Sequence, residues 1–156
     1  MHSRNIVHRD IKKDNILVFK GGIPKITDYS VSLEVDKPIK ILLRVGTTKI
    51  YQPPEVWEDC NYLGFPHDIW SLGVVLWEMI FHTMPFKSTT EIALKQEILA
   101  FKPVFPQVEL DPDLKEVLEG TLTRDPTQRW SVEQVTDCAW LNRPSSPTKI
   151  ESLTTS

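Results

Sequence analysis

The chain of 156 residues is poor in what several protein classes require. It has two cysteines, Cys60 and Cys138, far apart and without C-x-x-C spacing. That excludes a disulfide framework, and with His67 and His82 out of ligand spacing it excludes a zinc site. Isolated thiols suit a reducing compartment, so the expected setting is intracellular and cytoplasmic. There is no long hydrophobic run: the most apolar stretch, residues 69–81, carries Ser71 and Glu78 and is too short to span a bilayer. Met1-His2-Ser3-Arg4 has none of the character of a secretory signal. There is no surplus of positive charge, the formal net charge being −3, so neither nucleic acid nor membrane is expected as a partner. There is no internal repeat. What is left is an ordinary globular composition, 40% hydrophobic and 25% charged, at a length that suits one domain or a large part of one.

What is present centres on residues 6–18. Two short apolar runs, Ile6-Val7 and Ile16-Leu17-Val18, read as buried strand ends. Between them stand His8, Arg9, Asp10, Lys12, Asp14 and Asn15, too many polar groups to bury unpaired. A polar loop held by strands is a common seat for reactive groups. Lys20-Gly21-Gly22 then marks a hairpin turn, followed by a short strand through Ile23 and Ile26. Such a hairpin returns Asp28 to the neighbourhood of Asn15. An Asp and an Asn converging at strand ends can hold a hard cation through oxygen, and Mg²⁺ suits few protein ligands plus phosphate oxygens.

His8-Arg9-Asp10-Ile11, with Asn15 four residues on, resembles the catalytic loop of protein kinases, H-R-D-L-x-x-x-N, with Ile11 in place of Leu. The resemblance implies phosphoryl transfer from ATP to a hydroxyl of a protein substrate. In it Asp10 accepts or orients the hydroxyl proton, Lys12 offsets charge on the transferring phosphate, and His8 supports the loop. Asn15 and Asp28 hold Mg²⁺, Asp28 standing where the family has D-F-G; here Tyr29 replaces Phe and Ser30 replaces Gly. The added Cβ of Ser30 matters if that backbone needs a positive φ. A lysine two residues after the Asp implies Ser/Thr substrates.

Residues 31–54 match the activation segment, closed by Pro53-Pro54-Glu55 where the family has A-P-E. Thr48, seven residues before Glu55, takes the place of a threonine that orients the catalytic Asp. Thr47 stands where Gly is usual, Gly46 falling one step early. Arg9 implies pairing with a phosphorylated activation-segment residue, installed by an upstream activating kinase, yet residues 33–46 contain no Ser, Thr or Tyr. Either Thr47 takes the phosphate, or Glu34 or Asp36 supplies the negative charge; a solvated surface arginine is the plain alternative.

Residues 68–79 are apolar on nearly every face, as in a helix at the centre of a core. They resemble the central helix of the kinase C-terminal lobe, D-x-W-S-x-G, whose Asp, here Asp68, holds the catalytic-loop backbone. Glu78 matches a substrate-binding position that recognises a basic residue, or is a satisfied helix carboxylate. Three amphipathic helices are expected next. Ser88-x-x-Glu91 heads a stripe of Leu94, Ile98 and Phe101. Asp111-Pro112 heads Leu114, Val117, Leu118 and Leu122, and Ser131-x-x-Gln134 heads Val132, Val135 and Ala139. Arg124-Asp125-Pro126-Thr127-Gln128-Arg129 resembles R-D-P-x-x-R, whose second arginine, Arg129, pairs with the A-P-E glutamate, Glu55.

The expected fold is thus a protein-kinase-like C-lobe, mainly α with short β-strands carrying the catalytic loop, and α+β when complete. Residues 1–143 form a partial kinase domain, and the Ser/Thr/Pro-rich residues 144–156 a disordered tail. The N-terminal lobe is absent: no Gly-rich loop, no V-A-I-K lysine and no glutamate partner for it occur, and the helix before the catalytic loop shrinks to residues 1–5. The implied function is a Ser/Thr kinase with ATP and Mg²⁺ as cofactors, inactive as this isolated piece. The alternative is a catalytically impaired kinase-like module that binds protein partners.

Overall fold

The structure, a computed structural model, describes residues 1–35, 40–41, 48–58, 62–106 and 109–143. Thr47, Asp36 and the 144–156 tail lie outside the described residues.

Short strands frame the polar loop. Ile6–Val7 (β1), Ile16–Phe19 (β2), Ile23–Ile26 (β3) and Leu33–Glu34 (β4) form two antiparallel pairs, β1 with β4 and β2 with β3. The β2–β3 register runs from Ile16 opposite Ile26 to Phe19 opposite Ile23. The turn between them places Gly21 and Gly22 at φ 88° and 76°, a backbone that only glycine adopts without strain. The loop therefore hangs between two ladders, and Thr27 N–H donates to the Asn15 carbonyl at 2.8 Å where the hairpin closes.

The expected burial fails on one of the two apolar runs. Val7 is fully buried with Val35 and Val56. Leu17, Val18 and Ile23 are 48%, 71% and 56% exposed, and Phe19 stands out with them. A two-stranded hairpin with no sheet or helix laid over it among the described residues cannot bury these side chains, whatever their β propensity.

Lys40–Ile41 (β5) pairs with Tyr62–Leu63 (β6), with Pro54–Glu58 (α1) between them in the chain. The core is built on Gly64–Phe81 (α2), which buries Ile69, Trp70, Ser71, Gly73, Val74, Val75 and Trp77. Its apolar character on nearly every face places it at the centre, although Met79 near its end is 64% exposed. Glu91–Ala100 (α3) and Pro112–Thr121 (α4) share its core, and Val132–Asp137 (α5) follows. Leu94 and Ile98 come from α3, and Leu118 with the following Leu122 from α4. Trp70 and Trp77 anchor an aromatic cluster: Trp70 lies edge-on to Phe101 at 5.9 Å, and Trp77 stacks on Phe105 at 5.5 Å.

Two of the three expected helix starts hold. Asp111 caps α4, accepting from Asp113 and Leu114 N–H with Pro112 in the first turn, and Ser131 and Gln134 form the reciprocal capping box of α5. The third moves. Thr90, not Ser88, caps α3 through its bond from Ala93 N–H, because the Ser88 N–H is held by Glu97 Oε2 at 3.1 Å. Phe101 stands at the C-cap of α3 and still packs on the core that Leu94 and Ile98 enter, whereas Ala139 lies past α5 and is exposed.

Candidate active site

The loop backbone is fixed from below by α2. Asp68, 1% exposed, accepts from His8 N–H and Arg9 N–H at 2.8 Å each, and from His2 Nε2 at 2.9 Å. Burial disfavours its charge, but the hydrogen bonds from His2, His67 and the His8 backbone outweigh that and hold the carboxyl well below its ordinary value. Arg9 takes φ 69° under this restraint, a left-handed backbone unusual for a residue with a Cβ. Its side chain is buried, with Nε donating to the Val31 carbonyl, so a solvated surface arginine is ruled out.

His8 links the two halves of the site. Its Nδ1 accepts from Asp10 N–H at 3.3 Å and its Nε2 meets the Thr27 carbonyl at 3.0 Å, which fixes the tautomer with the proton on Nε2. Its ring also meets Tyr29 edge-on at 4.9 Å. The buried His8 thus ties the Asp10 loop to the segment that carries Asp28.

Asp10 is surrounded by donors. Oδ1 accepts from Thr48 N–H at 3.0 Å; Oδ2 accepts from Lys12 Nζ at 2.7 Å and Asn15 Nδ2 at 3.3 Å. Lys12 Nζ also donates to Thr48 Oγ1 at 2.9 Å. Partial burial pushes the Asp10 pKa up, but the Lys12 ammonium and the Thr48 N–H prevail and keep it below the ordinary value, so the group is an anion at neutral pH.

Asn15 also gives its amide nitrogen to the Asp10 carbonyl at 2.9 Å, which leaves the amide oxygen as the atom it can offer to a cation. Asp28 sits at φ 60°, exposed, and senses both Asp10 and Lys12 electrostatically. Hydrogen bonds from the Ser30 hydroxyl and N–H hold its pKa below the ordinary value. Ser30 itself is outside the left-handed region, so its Cβ costs nothing; the positive φ falls on Asp28. Among the described residues no cluster of three or more His, Cys, Asp or Glu could hold a metal ion. A hard cation here would rest on Asn15 and Asp28 with oxygens from a ligand, a donor set that fits Mg²⁺.

Glu78 lies next to this site with both oxygens engaged, by Lys13 Nζ at 2.5 Å and Tyr51 Oη at 2.8 Å. Burial, then the Glu78 carboxylate, pushes the Tyr51 hydroxyl pKa up. Both Glu78 oxygens are thus satisfied within the chain, by one exposed lysine and one buried tyrosine. Glu55 and Arg129 form a buried two-point ion pair at 2.7 and 2.9 Å away from the loop. Three contacts had no sequence signal: His2 on Asp68, Tyr51 on Glu78, and Val31 on Arg9. Ser30 stood out in the sequence only as a missing glycine, not as a donor to Asp28.

Comparison with known proteins gives a consistent picture. A family model described as "Protein kinase domain" matches residues 1–141. The chain is 34% identical over 141 residues to serine/threonine-protein kinase GRIK1 of Arabidopsis thaliana, covering 90% of this chain and 35% of that protein. It is 40% identical over 129 residues to RAC-beta serine/threonine-protein kinase B of Xenopus laevis, covering 83% and 26%. It is 35% identical over 147 residues to a calcium/calmodulin-dependent protein kinase kinase of Caenorhabditis elegans, covering 92% and 27%. The chain spans about a quarter to a third of the length of these relatives.

Proposed function

This chain belongs to the protein kinase family, and from that premise we propose that it is the C-terminal lobe of a serine/threonine kinase, residues 1–143, which transfers the γ-phosphate of ATP to a protein hydroxyl. The observation that carries the reading is the convergence on Asp10: Thr48, Lys12 and Asn15 all donate to one carboxylate.

Each residue then has a task its contacts suit. Asp10 is a fixed anion and accepts the proton of the attacking serine or threonine hydroxyl. Its two oxygens are oriented by opposite partners, Thr48 on one and Lys12 with Asn15 on the other, so the carboxylate has no freedom to turn away. Lys12, held between Asp10 and Thr48, keeps a positive charge where negative charge develops on the transferring group. Asn15 through its amide oxygen and Asp28 through its carboxylate would hold Mg²⁺. Mg²⁺-ATP, when bound, supplies the phosphoryl donor with its charge partly neutralised. Arg9 and the segment after Val31 form the proposed point of control by an upstream kinase. Glu55 with Arg129 is structural.

A second reading draws on one observation, the exposed apolar hairpin face formed by Leu17, Phe19 and Ile23, with Val18 exposed on the opposite side. A face of that kind is suited to being covered. In this reading the chain binds partner proteins and does little chemistry.

Phosphate transfer from labelled ATP to a Ser/Thr protein substrate separates the two. It is measured for the 156-residue chain alone and for the chain fused to the N-terminal lobe of a related serine/threonine kinase, each as wild type and as Asp10→Ala. Transfer by the fused chain that disappears with Asp10→Ala supports the kinase reading, with the 156-residue chain alone binding ATP weakly and transferring little. No Asp10-dependent transfer by either protein overturns it.

A further inference from the structure

Asp28 is an exposed carboxylate on a left-handed residue, and an exposed carboxylate ordinarily samples several rotamers. Here it does not stand free. Ser30 gives it two donors on the same oxygen: the hydroxyl at 2.6 Å and the backbone N–H at 3.3 Å, both to Oδ1. No other bond to the Asp28 side chain occurs among the described residues, so Oδ2 is the oxygen left to face outward. The backbone around it is anchored separately, by the His8 Nε2 contact to the Thr27 carbonyl and the His8–Tyr29 ring contact. Side-chain aim and backbone position thus have different owners.

We propose that Ser30 is a positioning residue for the cation site: its hydroxyl pins Asp28 Oδ1 so that Oδ2 is presented to the metal as a single, pre-aimed ligand. This rests on the kinase reading only in taking Asp28 as a metal ligand. Carboxylates that bind metals are themselves hydrogen-bonded, and removing such a partner typically weakens metal binding about 10–100-fold. Because one of the two donors is backbone and survives substitution, the lower end applies, a loss of about tenfold. A glycine at position 30 keeps the N–H and loses the hydroxyl, so Ser30→Gly should behave like Ser30→Ala, while Ser30→Thr keeps a hydroxyl and restores binding.

The test is titration of the full chain with Mn²⁺ alone, read as paramagnetic broadening of the Asn15 and Asp28 backbone resonances in NMR spectra. It is run on the wild type, Ser30→Ala, Ser30→Gly, Ser30→Thr and Asp28→Asn. The expected result is broadening in the wild type that Asp28→Asn abolishes. Ser30→Ala and Ser30→Gly then need about tenfold more Mn²⁺, and Ser30→Thr titrates within about twofold of wild type. Resonances distant from the site, unchanged among the variants, show that each is folded. Equal titration of the wild type and Ser30→Ala, with Asp28→Asn silent, overturns the role of Ser30 and leaves the metal reading intact. No Asp28-dependent broadening in the wild type overturns both.

Discussion

Under the proposed kinase reading Asp10 is the side chain on which the chemistry rests, and its contacts set what its loss costs. A positioned general base contributes about 10²–10⁴ in rate. On the proposed kinase reading, Asp10→Ala should lower kcat by that factor and leave the affinity for ATP little changed, as steady-state kinetics would show. Asp68 makes a prediction about stability instead. Its pKa is depressed on folding from the ordinary 3.8, so it stabilises the fold fully at pH values above 3.8 and loses that contribution as the pH falls towards the depressed folded value. Asp68→Asn should cost about 3 kcal/mol at pH 7, since it removes charged acceptors from two buried backbone N–H groups. Urea denaturation of both proteins should show that gap narrowing as the pH falls below 3.8. At this scale the sequence was readable where one residue type does one job. Asp10, Asn15 and Asp68 stand where the spacing put them, and Thr48 meets Asp10. It was not readable where a side chain was defined by what it lacked: Ser30 read as a lost glycine, and only the geometry shows it donating to Asp28.

The helices were legible from caps and periodicity, and the misses have local causes. Ser88 and Thr90 are both acceptable caps followed by a glutamate or an alanine. Glu97 decides between them by holding the Lys87 and Ser88 N–H groups, a contact from the next turns of the helix that no short motif contains. The hairpin was legible from Gly21-Gly22, but its burial was not, because an alternating or apolar strand pattern cannot say whether anything covers the strand. One element contact lends itself to measurement. Trp130 lies over Gly120 so closely that a Cβ there would meet the indole at 2.4 Å, and Trp130 N–H donates to the Gly120 carbonyl at 3.1 Å. Gly120→Ala gains helix propensity yet must displace the ring, so the net change should be a loss of about 1–3 kcal/mol. Chemical denaturation with circular dichroism checks the sign: stabilisation would mean that the ring moves freely.

The whole molecule is tied together by Arg129. All five of its N–H donors are used, two on Glu55 and one each on the carbonyls of Pro66, Thr123 and Arg124, and the guanidinium lies 5.1 Å from the Trp70 ring. It thereby joins α1, the start of α2 and the linker before α5. Arg129→Met leaves Glu55 buried without its countercharge and should cost about 3–5 kcal/mol. Arg129→Lys keeps the charge but not the fork and should still lose a large part of that. Thermal denaturation of the two variants tests the ranking, and equal stability of the wild type and Arg129→Lys would show that only charge matters. This pairing was legible because R-D-P-x-x-R and the Glu55 motif are both distinctive. The exposed face of the hairpin was not, since it depends on what lies over that face and not on the residues themselves.

Trp57, Trp70 and Trp77 are buried in one core, with the indole nitrogens of all three lacking a hydrogen-bond partner among the described residues. Sealed from water, they should emit at short wavelength in the folded chain and shift to the red together when it opens. With Trp130 and Trp140, which are only partly buried, replaced by phenylalanine, the molecule would carry its own optical gauge of cohesion, reporting from its centre without any attached dye.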